Sequence, residues 1–389
     1  MNSFRWLKPT RTSGRKLKLI CTQNYTVLTP VRQAFIRFCL GLLLRLMYYG
    51  NMMASGSPSL VELDRHASEP EKPYGIITVD CSSPFEYDDG LAVEPLPSSQ
   101  ELYRVSVFAV DGSKIYRDTS IVEKALDRTE SRYDTSKPGP ETYTPMLDPK
   151  IVRSKDFTQG NLRDALVVSF VIGPDQPPSD VAIEFGKVEV QRNFTYKTFG
   201  EKCRYREDFQ PFGRAAALII HHLGTFDSEE ERSTYHELIH VPSTETWNRG
   251  ANINQAYMIA ANYLVARQLR MENALAIYRV HDPEKTTLTE VLAPQMAHFS
   301  KTPGNHYGLG LDVYTRVTSP LRRVEDLIMH GLLRARAEGR QPGTRDQKLV
   351  AATIQRLNQR AAAQLFNDEP RLEAGDLWWR GRKPQSVAS

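Results

Sequence analysis

The chain has 389 residues, of which 40% are hydrophobic and 25% charged, so it can bury a large core and is not intrinsically disordered. Its four cysteines are far apart and form no CxxC pair, which excludes a disulfide framework or a cysteine-liganded zinc site and suits a reducing compartment. Nine Lys and Arg residues in positions 1–50 produce the net charge of +4, so the remainder, with 41 basic and 46 acidic residues, is not globally basic.

The first 52 residues are basic and contain no acidic side chain. Their apolar run, 34–50, is interrupted by Arg37 and Arg45 and is shorter than the ~20 residues of a membrane-spanning helix, so no stable membrane association is expected. Met52 and Met53 would serve as a natural start. We therefore expect 1–52 to be a disordered leader or to precede the true start, with organellar targeting as the alternative, and 53–73 to be a linker.

Apolar and β-branched runs predict strands at 74–80, 91–94, 102–110, 164–173 and 180–191, and the last two are expected to form a hairpin. Residues 128–150 are rich in Pro, Gly, Ser and Thr, which indicates a surface excursion. Helical periodicity follows at 251–271, 320–338 and 345–366. This order predicts an α+β fold with a main domain at 74–340 and a C-terminal helix and basic tail at 341–389.

The densest group of acidic residues lies in the segment 80–89 (DCSSPFEYDD), which we call the acidic loop. It places Asp80, Glu86, Asp88 and Asp89 between two predicted strands. Four such charges repel unless a cation neutralises them, and hard oxygen ligands favour Mg²⁺ or Mn²⁺. A metal of this kind can activate water for phosphodiester hydrolysis. The alternative at this point is a solvated acidic surface loop.

A second group of charged residues lies at the start of the predicted helix 320–338. Ser319 is a good N-cap and Pro320 suits the first helical position, which would place Arg322 in the first turn. A cation is unfavourable there, so we interpret Arg322 as a ligand for an external anion, reinforced by Arg316 and Arg323. The alternative is that these arginines pair with Glu325 or Asp326.

Taken together, the two segments resemble the catalytic (RNB) domain of the ribonuclease II/ribonuclease R family. The acidic loop has that family's spacing of four carboxylates, and TSPLRR at 318–323 is similar to its TSPIRR signature. Further similar segments occur in the family's order, so the resemblance covers about 260 residues. They are PMLDPKI at 145–151, QAYMIAANYLVARQL at 255–269, YRVHDP at 278–283 and HYGLGLDVYTRV at 306–317.

The resemblance implies a mixed or antiparallel sheet with packed helices around a central RNA channel. It implies a magnesium-dependent exoribonuclease that degrades single-stranded RNA from 3′ to 5′ and releases nucleoside 5′-monophosphates. Asp80 and Asp89 would bind the principal cation, Glu86 and Asp88 would complete the site, and Asp88 and Arg322 would be catalytic. The implied RNA contacts are Tyr133, Arg316, Arg322, Arg323, His306 and Tyr314, with Tyr133 as the base-stacking aromatic.

Several positions depart from the family's pattern. Glu86 replaces the usual aspartate, Gln255 and Ala256 stand where the family usually has two glutamates, and Val324 replaces a tyrosine. These changes put full activity in doubt, and leave a catalytically impaired RNA-binding protein as the alternative function. We also expect no flanking cold-shock or S1 module, and a possible RNA contact in the tail around Trp378 and Trp379.

The string HELIH at 236–240 matches the HExxH pattern of zinc peptidases, which makes a metallopeptidase a remote alternative. Pro242 follows closely and no third ligand is suitably spaced. The segment GLG at 308–310 lacks the context of a dinucleotide fingerprint, so no such cofactor is expected. Single-stranded RNA is the expected partner and the cytoplasm the expected location.

Overall fold

The computed structural model describes residues 74–82, 84–97, 101–133, 143–223, 246–281 and 297–366. All of them fall within one compact unit, Pro70–Ser389. The basic leader, the linker, the HELIH string and the tail around Trp378 lie outside the described residues. Among the helices of the described ranges, none combines the length and the apolar character needed to cross a bilayer.

The five predicted strands and the three predicted helices are present in the predicted order, and short helices that were not predicted interrupt the strands between residues 113 and 155. The strands are β1 (Tyr74–Asp80), β2 (Asp89–Pro95), β3 (Tyr103–Val110), β4 (Arg132–Tyr133), β5 (Tyr143–Thr144), β6 (Leu162–Gly173), β7 (Gln176–Thr195), β8 (Tyr278–Val280) and β9 (His298–Ser300). The α-helices are α1 (Ser113–Tyr116), α2 (Thr119–Arg128), α3 (Pro149–Lys155), α4 (Tyr196–Tyr205), α5 (Gln210–Leu223), α6 (Thr246–Met271), α7 (Val324–Ala337) and α8 (Thr344–Phe366).

Five long strands close into a barrel in the order β1-β2-β3-β6-β7. The β6–β7 hairpin is confirmed, and β2–β3 and β3–β6 are also antiparallel. Closure comes from a parallel pairing of β1 with the end of β7, from Tyr74 opposite Val188 to Asp80 opposite Thr195. The predicted mixed sheet is thus correct, and the barrel abolishes its free edges. The buried side chains of β3 face both the barrel interior and the helices outside.

Helices α4 and α6 pack closely against each other beside the barrel. Thr195, the last residue of β7, caps α4 through a reciprocal hydrogen-bonded pair with Thr198. A Cβ atom at Gly250 in α6 would lie only 2.0 Å from the carbonyl oxygen of Tyr196, so this contact requires glycine. Further along α6, the small residues Ala260 and Ala261 are also fully buried. The helix can therefore bring its polar side chains near the end of β1.

Helix α7 begins at Val324, four residues later than the sequence predicted, so Ser319 is not its N-cap and Arg322 is not in its first turn. The backbone of this segment pairs instead with the chain after α2. Ser131 N donates to Arg322 O at 2.9 Å, and Val324 N donates to Thr129 O at 2.9 Å. These tertiary hydrogen bonds keep residue 323 extended and override the local helix-start signal.

The long helix α8 packs on the rest of the domain through buried Val350 and Leu357. Asn358 also completes an edge of β9, because its side chain accepts a hydrogen bond from Phe299 N and donates one to Phe299 O, each at 2.8 Å. The described part of the C-terminal segment thus shares the core of the domain.

Candidate active site

The acidic loop joins the neighbouring antiparallel strands β1 and β2, so its first and last carboxylates lie at the same end of the barrel. Asp80 ends β1 and Asp89 begins β2. The loop is fixed near its second end, since Val110 N donates to Asp88 O at 2.9 Å and Phe157 N donates to Tyr87 O at 2.9 Å. The side chains of Glu86, Asp88 and Asp89 are buried. The alternative of a solvated acidic surface loop is therefore wrong for these three carboxylates.

Asp88 joins the acidic loop to Arg322 across 234 positions of sequence. Its Oδ2 accepts a hydrogen bond from Arg322 Nε at 3.1 Å, and its Oδ1 accepts one from Leu321 N at 3.0 Å. Arg322 Nη2 donates to Ser319 Oγ at 2.9 Å, which fixes the guanidinium plane. Burial raises the pKa of Asp88 to about 8, although the Arg322 charge opposes this rise.

Asp89 is buried and Asp80 is half-buried, and the hydrogen bonding of both carboxylates is incomplete. Within the described residues, Asp80 Oδ2 and Asp89 Oδ1 accept no hydrogen bond. Burial raises the pKa of Asp89 to about 6 against the opposing effects of Arg322 and of a hydrogen bond from Asn254. Burial and the neighbouring charge of Asp89 raise the pKa of Asp80 well above its ordinary value. Two close carboxylates in this state favour a bound cation or proton.

The donor set can be compared with the needs of a divalent metal. Across the described ranges, no three or more His, Cys, Asp or Glu side chains are gathered so as to hold a metal ion. Mg²⁺, however, often takes only one or two carboxylates and keeps water and substrate phosphates as its other ligands. The unpartnered oxygens of Asp80 and Asp89 fit that requirement. Direct ligation by Glu86 and Asp88 stays a prediction.

Tyr143 holds the remaining carboxylate of the loop and was missed in the sequence. Its hydroxyl donates to Glu86 Oε2 at 2.5 Å, and its ring stacks on Phe85 with centroids 4.1 Å apart and planes at 8°. Burial and the charge of Glu86 raise the pKa of the Tyr143 hydroxyl, which therefore stays a donor at neutral pH. Glu86 consequently has a fixed orientation beside Asp88.

Arg316 and Arg323 have buried carboxylate partners, as the alternative interpretation proposed. Arg316 Nη1 lies 3.5 Å from Glu325 Oε1, and Arg323 Nη2 lies 2.8 Å from Asp326 Oδ2. Asp326 Oδ2 also accepts a hydrogen bond from Ser319 N at 2.7 Å. These ion pairs stabilise the turn that carries Arg322, while RNA contacts by Arg316 and Arg323 stay predictions.

Comparison with protein families shows to which family a chain with this arrangement of residues belongs. The sequence model of the RNB domain matches residues 72–296 and 287–338, which is more than half of the chain. The chain belongs to the RNB domain family. The resemblance to ribonuclease II and ribonuclease R is thereby confirmed, as is the fold class.

The proteins to which this RNB domain is similar include exoribonucleases and a pseudonuclease. Exoribonuclease 2 of Cronobacter sakazakii is 25% identical over 392 residues, with 78% of this chain and 58% of that protein covered. RNase R of Mycoplasma genitalium, solved with ribose-methylated single-stranded RNA, has a TM-score of 0.61 at 15% identity, with 80% of this chain and 58% of that chain covered. Yeast Ssd1, called a pseudonuclease, has a TM-score of 0.56 at 13% identity, with 76% and 44% covered. The chain thus spans less than two thirds of each of these proteins.

The other predicted RNA contacts of the RNB domain lie in two further places. His306 and Tyr314 are buried neighbours with ring centroids 5.3 Å apart, and Asn262 Nδ2 donates to the Tyr314 hydroxyl at 3.1 Å. Burial lowers the pKa of His306 well below 6.5, so its ring is neutral at neutral pH. Tyr133 lies in β4 opposite Tyr143 in β5, and its side chain is outside the described part of the chain. Binding by these three residues is untested.

Sequence reasoning missed Asn254, which lies on the buried side of α6 and hydrogen-bonds to Asp89. A polar residue among apolar ones on a helical face signals a buried partner, so periodicity could have identified it. The adjacent departures from the family pattern differ in exposure: Gln255 is exposed, whereas Ala256 is buried. No sequence pattern predicts the backbone donor Leu321 N, because its position depends on the tertiary pairing of 322–324.

Proposed function

We propose that this RNB domain hydrolyses single-stranded RNA from its 3′ end and releases nucleoside 5′-monophosphates, with Mg²⁺ or Mn²⁺ as cofactor. The observation that carries the proposal is the contact of buried Asp88 with Arg322 beside two unpartnered carboxylate oxygens. The names of Exoribonuclease 2 and RNase R among the relatives support the same activity.

The residues divide into cation ligands and a phosphate ligand. Asp80 and Asp89 would hold the cation, which when bound supplies charge neutralisation and an activated water. Asp88 and Ser319 hold Arg322 in one orientation, so that its guanidinium can bind a phosphoryl oxygen and stabilise the charge that develops during hydrolysis. Tyr143 fixes Glu86 and prevents it from turning away from the site. The chain's own residues thus orient the phosphate before the reaction.

The path of the RNA forms the second part of the proposal. A single strand would reach the carboxylates through a central channel, with Tyr133 stacking on the terminal base. Arg316, Arg323, His306 and Tyr314 would contact the strand. Recognition of a single strand requires little positive charge outside the channel, which agrees with the acidic balance of the chain beyond residue 50.

One observation favours a second candidate, an RNA-binding protein that has lost hydrolysis. Gln255 and Ala256, next along the chain to Asn254, the partner of Asp89, stand where the family usually has two carboxylates. The chain therefore lacks two acidic side chains that the family usually has near this position in sequence. Asp80, Glu86, Asp88, Asp89 and Arg322 are all present, and we therefore favour the active enzyme.

Labelled RNA separates the two candidates. The full chain is incubated with 3′-labelled and 5′-labelled single-stranded RNA, with Mg²⁺, Mn²⁺ or chelator. We expect labelled mononucleotides to leave the 3′ end at once and only in the presence of metal. RNA binding without any release under all conditions would establish the impaired protein instead.

Two variants then assign the chemistry to the acidic loop. Asp88→Asn should bind RNA and release no mononucleotide, since an amide can accept only one of the two hydrogen bonds that Leu321 N and Arg322 Nε donate to Asp88. Asp208→Asn makes the same chemical change at an exposed ion pair with Arg206 and should retain full activity. Equal turnover by the two variants would remove Asp88 from the mechanism.

A further inference from the structure

A cavity of about 330 Å³ opens between the end of α2 and helix α8. Its lining includes Arg128, Arg132, Arg356 and Arg360, and we call it the arginine pocket. Asp127 is the carboxylate in that lining, and no residue of the acidic loop takes part in it. The pocket is therefore a strongly basic site in a chain whose body has a slight acidic excess.

Three elements of the fold gather these arginines. Arg356 and Arg360 are four residues apart on α8, so they project from the same face of the helix. Arg128 lies in the last turn of α2, and Arg132 begins β4. Because α8 packs on α2, the four arginines line one cavity although they come from distant parts of the chain.

The carboxylates nearby do not neutralise the pocket. Arg356 pairs with Asp127, but the side chains are 45% and 70% exposed, and exposed pairs hold weakly. Arg360 Nη2 lies 2.7 Å from Glu130 Oε1. Arg128 Nη1 donates to the neutral carbonyl of Pro145 at 2.8 Å, and within the described residues neither Arg128 nor the exposed Arg132 pairs with a carboxylate. Two of the four positive charges thus stay uncompensated.

We infer that the arginine pocket binds the phosphate group of a nucleotide, at a second site separate from the acidic loop. Guanidinium groups match phosphate oxygens with paired hydrogen bonds, and a concave site with one sign of charge concentrates ligands of the opposite sign. Clustered arginines repel one another, so an anion stabilises the arrangement. Only the choice of a nucleotide among phosphate esters rests on the proposed function. The phosphate can belong to a free nucleoside monophosphate or to an RNA strand.

The pocket shares a chain segment with the turn that carries Arg322. Arg360 Nη1 donates to Arg128 O at 3.0 Å and also contacts Thr129 Oγ1. In the same segment, Thr129 O accepts a hydrogen bond from Val324 N, and Ser131 N donates one to Arg322 O. Thr129 has φ = 65°, a conformation that a threonine adopts only when its surroundings impose it. Contacts from the pocket and from the Arg322 turn together hold this segment.

Equilibrium binding tests the inference without hydrolysis. Binding of AMP and of labelled single-stranded RNA to the full chain is measured in chelator at several salt concentrations. The pocket variant Arg132→Ala/Arg356→Ala is compared with Arg206→Ala/Arg340→Ala, which removes two exposed, paired arginines elsewhere. Thermal melts confirm that both variants fold. The variant Arg322→Ala shows whether AMP binds at the active site and not at the arginine pocket.

If the phosphate comes from an RNA strand, the slope of log K against log salt becomes shallower by about 1.4 in the pocket variant for two lost contacts, and stays unchanged in the control. If a free nucleotide is the ligand, saturable AMP binding disappears in the pocket variant and persists in the control and in Arg322→Ala. A pocket variant that matches its control with both ligands overturns the inference. Because no metal is present, this result is independent of whether the chain hydrolyses RNA.

Discussion

Two buried acidic sites lie at adjacent strand ends of the barrel and differ in how they are satisfied. Asp111, directly after β3, accepts hydrogen bonds from Ser113 N at 2.8 Å and from Arg334 Nη2 at 2.7 Å. These partners outweigh burial and hold the pKa of Asp111 below its ordinary value. At the start of β2, Asp89 keeps an unpartnered oxygen and its pKa rises to about 6. Burial alone therefore does not distinguish a structural carboxylate from a functional one.

The two sites differ in whether the protein itself supplies all the hydrogen-bond and ion-pair partners of the carboxylates. The environment of Asp111 also includes His330, whose Nδ1 accepts from Gly112 N at 3.1 Å while its other ring nitrogen donates to Val317 O at 2.6 Å. That network is complete without an external ion. The network of Asp80 and Asp89 is incomplete, which destabilises the fold slightly and prepares a site for a cation. The following changes test this contrast.

The largest effect is expected for Arg322→Lys. Lysine keeps the positive charge but cannot bond Asp88 and Ser319 while presenting a planar fork to phosphate. We expect the rate of mononucleotide release to fall by about 100-fold, with the affinity for RNA changed much less. Single-turnover kinetics measures the step directly. Arg334→Lys, at the satisfied site, serves as the matched control, and equal losses in both variants would refute a special role for Arg322.

A smaller effect, on stability, is expected for Asp111→Asn. The change leaves the Arg334 guanidinium without its carboxylate at a site where the aspartate side chain has no exposure. The free energy of unfolding should fall by about 2 kcal/mol in urea titrations. The specific activity per folded molecule should persist. A loss of activity without a loss of stability would show that Asp111 belongs to the reaction.

For Asp89→Asn in chelator at pH 8, we expect stability to change in the opposite direction to that of Asp111→Asn. The raised pKa of Asp89 means that the folded state loses stability as the pH rises from about 4, its ordinary value, through about 6. A neutral amide removes that penalty, so the free energy of unfolding should rise by about 1 kcal/mol while activity is lost. A less stable variant would show that the Asp89 charge stabilises the metal-free fold.

The smallest effect concerns the pH dependence of Asp111. A depressed pKa contributes stability above the ordinary value of about 4, and this contribution is lost as the pH falls through the folded-state pKa. The stability difference between the wild-type protein and Asp111→Asn should therefore shrink between pH 6 and pH 3. Urea titrations at the two pH values measure it, and a constant difference would contradict the ionised state assigned to Asp111.

The sequence predicted the barrel strands, three of the four longest helices and the carboxylates of the acidic loop. It did not predict barrel closure, because β1 and the end of β7 pair across more than a hundred residues and leave no local signal. The start of α7 was wrong for a similar reason: the capping signal at Ser319 and Pro320 is local, whereas the pairing of 322–324 with 129–131 is tertiary. Periodic patterns in the sequence predict where helices and strands lie, and say much less about the contacts between those helices and strands.

The family resemblance implied that Asp88 and Arg322 are both catalytic, and the structure brings Asp88 into contact with that arginine. The partner of each arginine was less predictable, since Arg316 and Arg323 pair with the buried carboxylates of α7. Tyr143 and Asn254 complete the site from elements whose position depends on the whole fold. The pattern of α6 could have marked Asn254 as a buried polar residue, whereas the contacts that both residues make could be assigned only from the structure.

The most direct test of the account is the position of a cation in a crystal of Asp88→Asn grown with single-stranded RNA and Mn²⁺, located by anomalous diffraction. We expect a peak at about 2 Å from both Asp80 Oδ2 and Asp89 Oδ1, with an RNA phosphate completing its ligands. A peak bound elsewhere, or these two oxygens bonded to protein donors with RNA in place, would contradict the assignment of the acidic loop as the metal-binding catalytic site.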